Sequence, residues 1–234
     1  MTHTTGTSSE SEAEGLVGVA GARAALRRGQ AVVLPNPAPL TCVVAGTDAQ
    51  GVNRAKGRPE GQAVALWAHD PAILAALDDV LDLDADLRTV ARLLLTEQRV
   101  TLLVPLRAGA SGPDWLAPAA RESWAMLFGT RWPPLLPVLE DHSVLYVSSA
   151  NRTGQAPAAT GAQARAMFPH SVPVLPADRL AGAEPESDPA ARAATTTLRL
   201  YPDARITVHR RGAQDAAFAD PDRYLDHVRT VFRG

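Results

Sequence analysis

The residues best suited to bind a ligand follow a short apolar run in the middle of the chain. Residues 144–147 are apolar and β-prone, which predicts a buried strand. Small and polar residues come directly after it: Ser148, Ser149, Asn151, Thr153 and Gly154. Their hydroxyl, amide and backbone N–H groups can bind a polyanion without adding charge, and small side chains let a ligand approach the backbone. The pattern predicts a phosphate-binding loop at the carboxyl end of a strand.

A polar turn that only caps the next helix would explain the same residues. We expect that helix to begin near Thr160, and Ser, Thr and Asn are common in such turns. On this stretch alone, both interpretations stay open.

A second stretch, RAKGRP at residues 54–59, favours the phosphate site. Lys56 is the only lysine, so the other 22 of the 23 basic residues are arginine. A compact ammonium suits contact with a nucleotide phosphate, which is one reason to keep a lysine here. Because Gly57 and Pro59 follow, we expect the Lys56 side chain to lie outside the core and to contact phosphate.

The pair Lys56 and Arg58, followed by Ser149 and Asn151, resembles the KxR and SxN signature of the Sua5/YciO/YrdC family. The best-known members of that family are threonylcarbamoyl-adenylate synthases, which serve tRNA modification. The resemblance covers about residues 15–213 and includes five segments in the family's order: residues 20–35, 99–105, 148–160, 195–200 and 209–213.

The resemblance implies an α/β fold, a YrdC-like twisted mixed sheet flanked by helices with an open basic cleft. Alternating strand and helix patterns along the chain favour an α/β fold independently. We expect one domain over residues 15–234. Residues 1–14 are rich in Thr, Ser and Glu with little to bury, and are expected to form a disordered leader.

The resemblance also implies an activity. Bicarbonate and an amine or amino acid form a carbamate, which attacks the α-phosphorus of ATP and expels pyrophosphate, with Mg²⁺ as a cofactor. Lys56 and Arg58 would be the catalytic residues. The residues expected to bind nucleotide or substrate are Ser148, Ser149, Asn151, Thr195, Thr196, Arg210 and Arg131.

Three departures from the family pattern bear on the substrate site. The family has a Pro-Thr-(Asp/Glu)-Thr loop where this chain has Pro35, Asn36, Pro37 and Ala38, so hydroxyl groups are missing and L-threonine is expected to be a poor acceptor. The chain between Pro35 and Lys56 is also short, so a helix there should be trimmed or lost. The family's arginine near residues 124–128 is absent as well; Arg131 is a candidate substitute, and whether it replaces that arginine stays open.

Two other functions remain open. The chain could be a non-catalytic module that holds a nucleotide or double-stranded RNA, or an enzyme of specialised metabolism acting on another adenylate. A serine hydrolase is disfavoured, because Ser149 lacks both a recognisable triad and the glycines of a nucleophile elbow.

Composition excludes several other classes. The chain has 234 residues, of which 46% are apolar and 21% charged, and a net charge of −2 gives no general attraction to nucleic acid. A single cysteine, Cys42, rules out an internal disulfide, and the six histidines show no metal-binding spacing.

The acidic residues 78–86 are predicted to form a solvated helix or turn. The sequence has neither a secretion signal nor an apolar stretch long enough to span a membrane, so we expect a cytoplasmic protein.

Overall fold

The computed structural model describes residues 15–184 and 188–231. The leader expected in residues 1–14 lies outside the described residues. The strands, β1 to β9 in chain order, are Val32–Leu34, Val43–Gly46, Ala65–Trp67, Thr101–Pro105, Ala120–Arg121, Trp124–Phe128, Tyr146–Ser149, Thr197–Leu200 and Ile206–Arg210. The α-helices, α1 to α7, are Val19–Arg27, Ala49–Ala55, Pro71–Ala76, Ala85–Thr96, Leu136–Leu139, Gly161–Met167 and Pro221–Val231.

The strands form one open sheet in the order β1-β2-β7-β3-β6-β4-β8-β9, and β5 pairs with β6 outside this path. The pairs β3–β6 and β4–β8 are parallel, whereas the other pairs are antiparallel. The predicted fold class, a mixed sheet flanked by helices, is confirmed.

Alternating side chains place an apolar layer on each face of the sheet. On β1, Val33 packs into the larger layer, which also contains residues of α2, α4, α6 and α7. Its neighbours Val32 and Leu34 pack into the smaller layer, together with residues of α1 and α5. We call the side with this smaller layer the open face.

Two helix starts agree with the sequence signals. Asp70 caps α3 by accepting a hydrogen bond of 2.9 Å from the Ala72 backbone N–H, with Pro71 at the first helical position. Thr160 caps α6 by accepting a bond from the Gln163 backbone N–H. Because Thr160 caps that helix, residues 148–154 are not needed for this purpose.

The structure also bears on three local features of the sequence. The helix expected to be trimmed or lost between Pro35 and Lys56 is present as the seven-residue α2, and Asp48 caps its first turn. Residues 78–84 form a turn, one of the two expected forms, but its Val80, Leu81 and Leu83 are buried and not solvated. Within the segment 195–200, strand β8 begins at Thr197.

Candidate nucleotide site

A cavity of about 380 Å³ lies on the open face of the sheet. Its apolar lining comes from four strands and contains Val43, Ala65, Met126, Phe128 and Val147. Polar residues from separate segments complete the lining, and they include Lys56, Arg58, Ser148, Ser149, Asn151, Thr153, Thr195 and Arg210. Seven of the nine residues predicted from the sequence therefore share one cavity.

Lys56 follows the last residue of α2, and Gly57 turns the chain sharply with a φ of +65°. The Lys56 Nζ atom donates to the Ser149 carbonyl and, at 2.9 Å, to Asn151 Oδ1. Only 4% of Lys56 is exposed, so the expectation that it lies outside the core was wrong. The side chain reaches inward because two acceptors at the end of β7 receive its N–H groups.

Arg58 is fixed by a buried residue that the sequence did not single out. Its Nε donates a 2.5 Å hydrogen bond to Asn53 Oδ1. Asn53 also donates from Nδ2 to the carbonyls of Glu60 (2.7 Å) and Gln62 (2.8 Å), so one side chain holds the whole loop after α2. The second terminal nitrogen of Arg58 is buried without a protein partner. That guanidinium therefore keeps an unused donor.

The cavity has a positive electrostatic character. Burial, together with the charges of Arg58 and Arg210, lowers the pKa of Lys56 to about 7. Burial also lowers the pKa of both arginines. No Asp or Glu occurs among the described residues that line the cavity. An anion would relieve the repulsion between these three cations, so the site favours an anionic ligand.

The SxN motif is held rigidly beside the lysine. Ser149 Oγ donates to Asn151 Oδ1 at 2.6 Å, and Asn151 Nδ2 donates to the Gln155 carbonyl at 2.9 Å. The amide orientation of Asn151 is therefore fixed, with its oxygen toward Lys56 and its nitrogen toward the following turn.

Of the threonines before β8, one lines the cavity and the next points away. Thr195 lines the cavity and shares a 2.6 Å hydrogen bond with the Thr101 hydroxyl on β4. Thr196, also predicted as a ligand-binding residue, does not line it. Its hydroxyl donates to the buried Asp215 carboxylate at 2.7 Å, because successive side chains of extended backbone point to opposite sides.

Arg131 also lies away from the cavity, so the structure does not bring it to the other predicted site residues. Its side chain is exposed, and its charge acts on His69 and Asp70 instead. Two contacts of the preceding residues fix the backbone in this position. Trp67 Nε1 donates to the Thr130 carbonyl at 2.6 Å, and a Cβ on Gly129 would lie 2.3 Å from the Leu95 carbonyl oxygen.

Several lining residues were not predicted, namely Asn36, Thr41, Gln62 and Thr101. Thr101 could have been found from strand pairing, because β4 runs parallel to β8 with Thr101 opposite Thr197. Asn36 has a buried Oδ1 without a partner, whereas its Nδ2 donates to the Thr41 carbonyl at 2.9 Å.

In residues 15–184 and 188–231, no group of three or more His, Cys, Asp or Glu residues could hold a metal ion. Among these same residues, no helix is long and apolar enough to cross a bilayer.

Comparison with known proteins gives similarity in structure only. No protein-family model matches the sequence, and no curated protein matches it. Sua5 from P. abyssi, solved with L-threonine, is 14% identical with a TM-score of 0.60; the match covers 83% of this chain and 54% of Sua5. Full-length HypF, solved in a phosphate- and nucleotide-bound form, is 15% identical with a TM-score of 0.60, covering 86% of this chain and 30% of HypF. E. coli YciO is 16% identical with a TM-score of 0.59, covering 85% of this chain and 91% of YciO.

The chain thus spans about half of Sua5 and under a third of HypF, but nearly all of YciO. At these identities the likeness concerns the fold and not the activity. The resemblance read from the KxR and SxN motifs is confirmed at that level: this chain has the YrdC-like α/β fold that it shares with YciO and with parts of Sua5 and HypF.

Proposed function

We propose that this protein is an ATP-dependent carbamoyl-adenylate synthase-like nucleotidyltransferase. The observation that carries the proposal is the cavity in which Lys56, Arg58 and Arg210 converge beside Ser149 and Asn151, with no carboxylate among its described lining residues. Such a site suits a ligand with several negative charges. Similarity in fold to a nucleotide-bound form of HypF and a threonine-bound form of Sua5 supports a nucleotide and an amino acid or related amine as substrates.

The proposed reaction has two steps. An amine and bicarbonate condense to a carbamate and water. A carbamate oxygen then attacks the α-phosphorus of ATP, the bond from this phosphorus to the β-phosphate bridging oxygen breaks, and pyrophosphate leaves. Lys56 and Arg58 would neutralise carbamate and phosphate oxygens, while Ser149 and Asn151 would orient the ligand. Catalysis would come from orientation and charge, without a covalent enzyme intermediate.

Magnesium is best treated as part of the nucleotide substrate. The described lining of the cavity offers no carboxylate, which is the usual protein ligand for Mg²⁺. The ion would therefore arrive on the phosphates of MgATP, and the cationic side chains would contact the remaining phosphate oxygens.

The direct experiment incubates the protein with MgATP, bicarbonate and a panel of amines and amino acids. We expect pyrophosphate release that requires bicarbonate and one class of amine, with a carbamoyl adenylate detected by mass spectrometry. Arg58→Ala should abolish release, whereas Arg54→Ala, an exposed arginine on the preceding helix, should not. Absence of pyrophosphate release with every amine would contradict the proposal.

A binding function for RNA is the second candidate, because one observation favours it. Next to the cavity, the open face carries a group of aromatic and guanidinium side chains, of which Arg205 is exposed and Trp124, Arg199 and Tyr201 are half-buried. The Arg199 guanidinium lies 4.7 Å from the Trp124 ring centroid, and that of Arg205 lies 3.5 Å from the Tyr201 ring centroid. Trp124 shares a strand face with Met126, which lines the cavity.

Aromatic and arginine side chains together can stack on bases and contact phosphates. If RNA binding is the function, Trp124→Ala and Arg205→Ala should weaken binding of a short RNA at low salt without changing ATP affinity. Nucleotide turnover in the presence of an amine would favour the synthase over this alternative.

A further inference from the structure

A buried carboxylate lies directly behind two of the cavity-lining residues. Asp215 has no exposed surface, and it does not line the cavity. It lies in the turn after β9, five residues beyond Arg210. The sequence pattern did not single it out, because a lone aspartate in a turn has no distinguishing spacing.

The Asp215 carboxylate joins two segments that are far apart in sequence. Its Oδ1 accepts from the Thr196 hydroxyl at 2.7 Å and from the Gly212 backbone N–H at 2.6 Å. Its Oδ2 accepts from Arg211 Nε, also at 2.6 Å. Oδ1 therefore binds both the segment before β8 and the turn after β9, whereas Oδ2 binds only that turn.

The same two segments touch closely through their backbones. A Cβ on Gly212 would lie 2.3 Å from the Thr196 nitrogen, and Ala213 N–H donates to the Ala194 carbonyl at 2.8 Å. Gln214 Oε1 accepts from the Thr196 N–H at 2.7 Å. Only a residue without a side chain fits at position 212, so the contact surface is specific.

Two of the three groups that bind the Asp215 carboxylate are next to cavity residues in the chain. Thr196 follows Thr195, and Arg211 follows Arg210, and both Thr195 and Arg210 line the cavity. Burial alone would raise the pKa of Asp215, but the hydrogen bonds from Thr196, Gly212 and Arg211 outweigh burial and lower it. The carboxylate is therefore ionised at neutral pH, and it can hold both segments at once.

We infer that Asp215 is a positioning residue that fixes Arg210 against Thr195 for binding of a nucleotide phosphate. Arg210 pairs with Thr197 across a register shift, so its strand does not hold it in a regular ladder. The hydrogen bonds of Asp215 to Thr196, Gly212 and Arg211 hold the end of this strand in place instead. The inference rests on the proposed function only for the identity of the ligand, a phosphate-bearing nucleotide.

The test is a double-mutant cycle on ATP binding, measured by calorimetry without bicarbonate or amine. We expect Arg210→Ala to weaken binding about tenfold and Asp215→Asn about fivefold. Because Asp215 acts through Arg210, the double variant should be about tenfold weaker, and not about fiftyfold as independent effects would give. The Asn variant keeps the acceptor for Thr196 but places an N–H donor against Arg211.

Two further variants keep the test decisive. Thr196→Val removes one anchor with little change in volume and covers the case in which Asp215→Asn does not fold; it should also weaken binding only when Arg210 is present. Asp203→Asn, at the other end of the β8–β9 hairpin, is the control and should bind like wild type.

Wild-type affinity in a folded Asp215→Asn protein, or independent effects in the cycle, would overturn the inference. If Asp215→Asn does not fold, the same results for Thr196→Val would do so. If the effects of Asp215→Asn and Arg210→Ala on ATP binding are coupled but no amine supports pyrophosphate release, the inference stands and the proposed function is contradicted. No ATP binding by wild type would overturn both.

Discussion

The Lys56 ammonium donates to Asn151 Oδ1 over 2.9 Å, which joins two motifs that lie 95 residues apart in the chain. The same Oδ1 accepts from Ser149 Oγ at 2.6 Å. The KxR and SxN motifs therefore form one hydrogen-bonded unit before any ligand binds. A ligand phosphate would meet a site that is already assembled, so less of its binding energy would be lost in ordering side chains.

Lys56 should matter little for stability despite its burial. Lys56→Met keeps the apolar stem but removes the charge and two hydrogen bonds, each worth about 0.5–1.5 kcal/mol. That loss is offset because a buried cation next to Arg58 and Arg210 is also removed. At about pH 7 we expect the free energy of unfolding to change by less than about 1 kcal/mol in urea titrations. A loss of roughly 3 kcal/mol or more would show that the ammonium is required for folding.

The lowered pKa of Lys56 predicts proton uptake on nucleotide binding. With a pKa of about 7, Lys56 is mostly neutral in the free protein at about pH 8. An anion favours the charged form and raises this pKa, so binding should take up close to one proton. Calorimetric titration of ATP in two buffers with different ionisation enthalpies measures this number. Lys56→Met should take up almost none, and equal uptake by both proteins would contradict the assignment.

The same shift sets the sign of the pH dependence of stability. The folded-state pKa lies below the ordinary value of 10.5, so the unfolded chain binds more protons between about pH 7 and 10.5. The contribution of Lys56 to stability therefore increases with pH across this window. Relative to Lys56→Met, wild type should become more stable from about pH 7 to pH 9 in urea titrations. A difference that stays constant would show that the pKa is not lowered.

Asn53 is expected to be more important for stability than any residue that contacts the ligand. It is fully buried and donates to two backbone carbonyls, those of Glu60 and Gln62. Asn53→Ala removes the hydrogen bonds to these two carbonyls and to Arg58, each worth about 0.5–1.5 kcal/mol, and should cost about 2–3 kcal/mol of unfolding free energy. Gln50→Ala, an exposed position on the same helix, is the control and should stay within about 0.5 kcal/mol. Equal stability of the two variants would contradict this role.

L-Threonine should be a poor acceptor. Asn36, Pro37 and Ala38 stand where the resembling family has hydroxyl-bearing residues, and only 1% of Asn36 is exposed. Its amide already donates to Thr41, which leaves one unpartnered acceptor oxygen and no hydroxyl for a threonine side chain. Pyrophosphate release should be slower with threonine than with the best amine of the panel. Release at the highest rate with threonine would restore the standard synthase interpretation.

The motif residues were predictable because type and order carry the information. Lys56 and Arg58 follow the end of α2, Ser149 and Asn151 stand at the end of β7, and the family resemblance pairs these two motifs. The two predicted residues that lie outside the cavity depend on tertiary contacts. Arg131 follows Gly129, which packs on the backbone of another element, and this contact has no signature in the local sequence.

The burial of Lys56 and the roles of Asn53 and Asp215 were not predictable for a related reason. Each depends on partners far away in sequence or in an irregular loop, such as Ser149 for Lys56 and Thr196 for Asp215. Local spacing specifies which face a residue occupies in a helix or strand, but it does not specify which acceptor its side chain reaches.

The most direct test of the central claim is calorimetric titration of ATP into wild type, Lys56→Met and Ser149→Ala. The assembled cavity predicts measurable binding by wild type. Loss of a charge-assisted contact of about 1.5–3 kcal/mol makes Lys56→Met about tenfold to hundredfold weaker. Ser149→Ala, which removes a neutral hydroxyl worth about 0.5–1.5 kcal/mol, should be about threefold to tenfold weaker. Equal affinity in all three proteins, or no binding by wild type, would contradict the claim that these motifs form a nucleotide site.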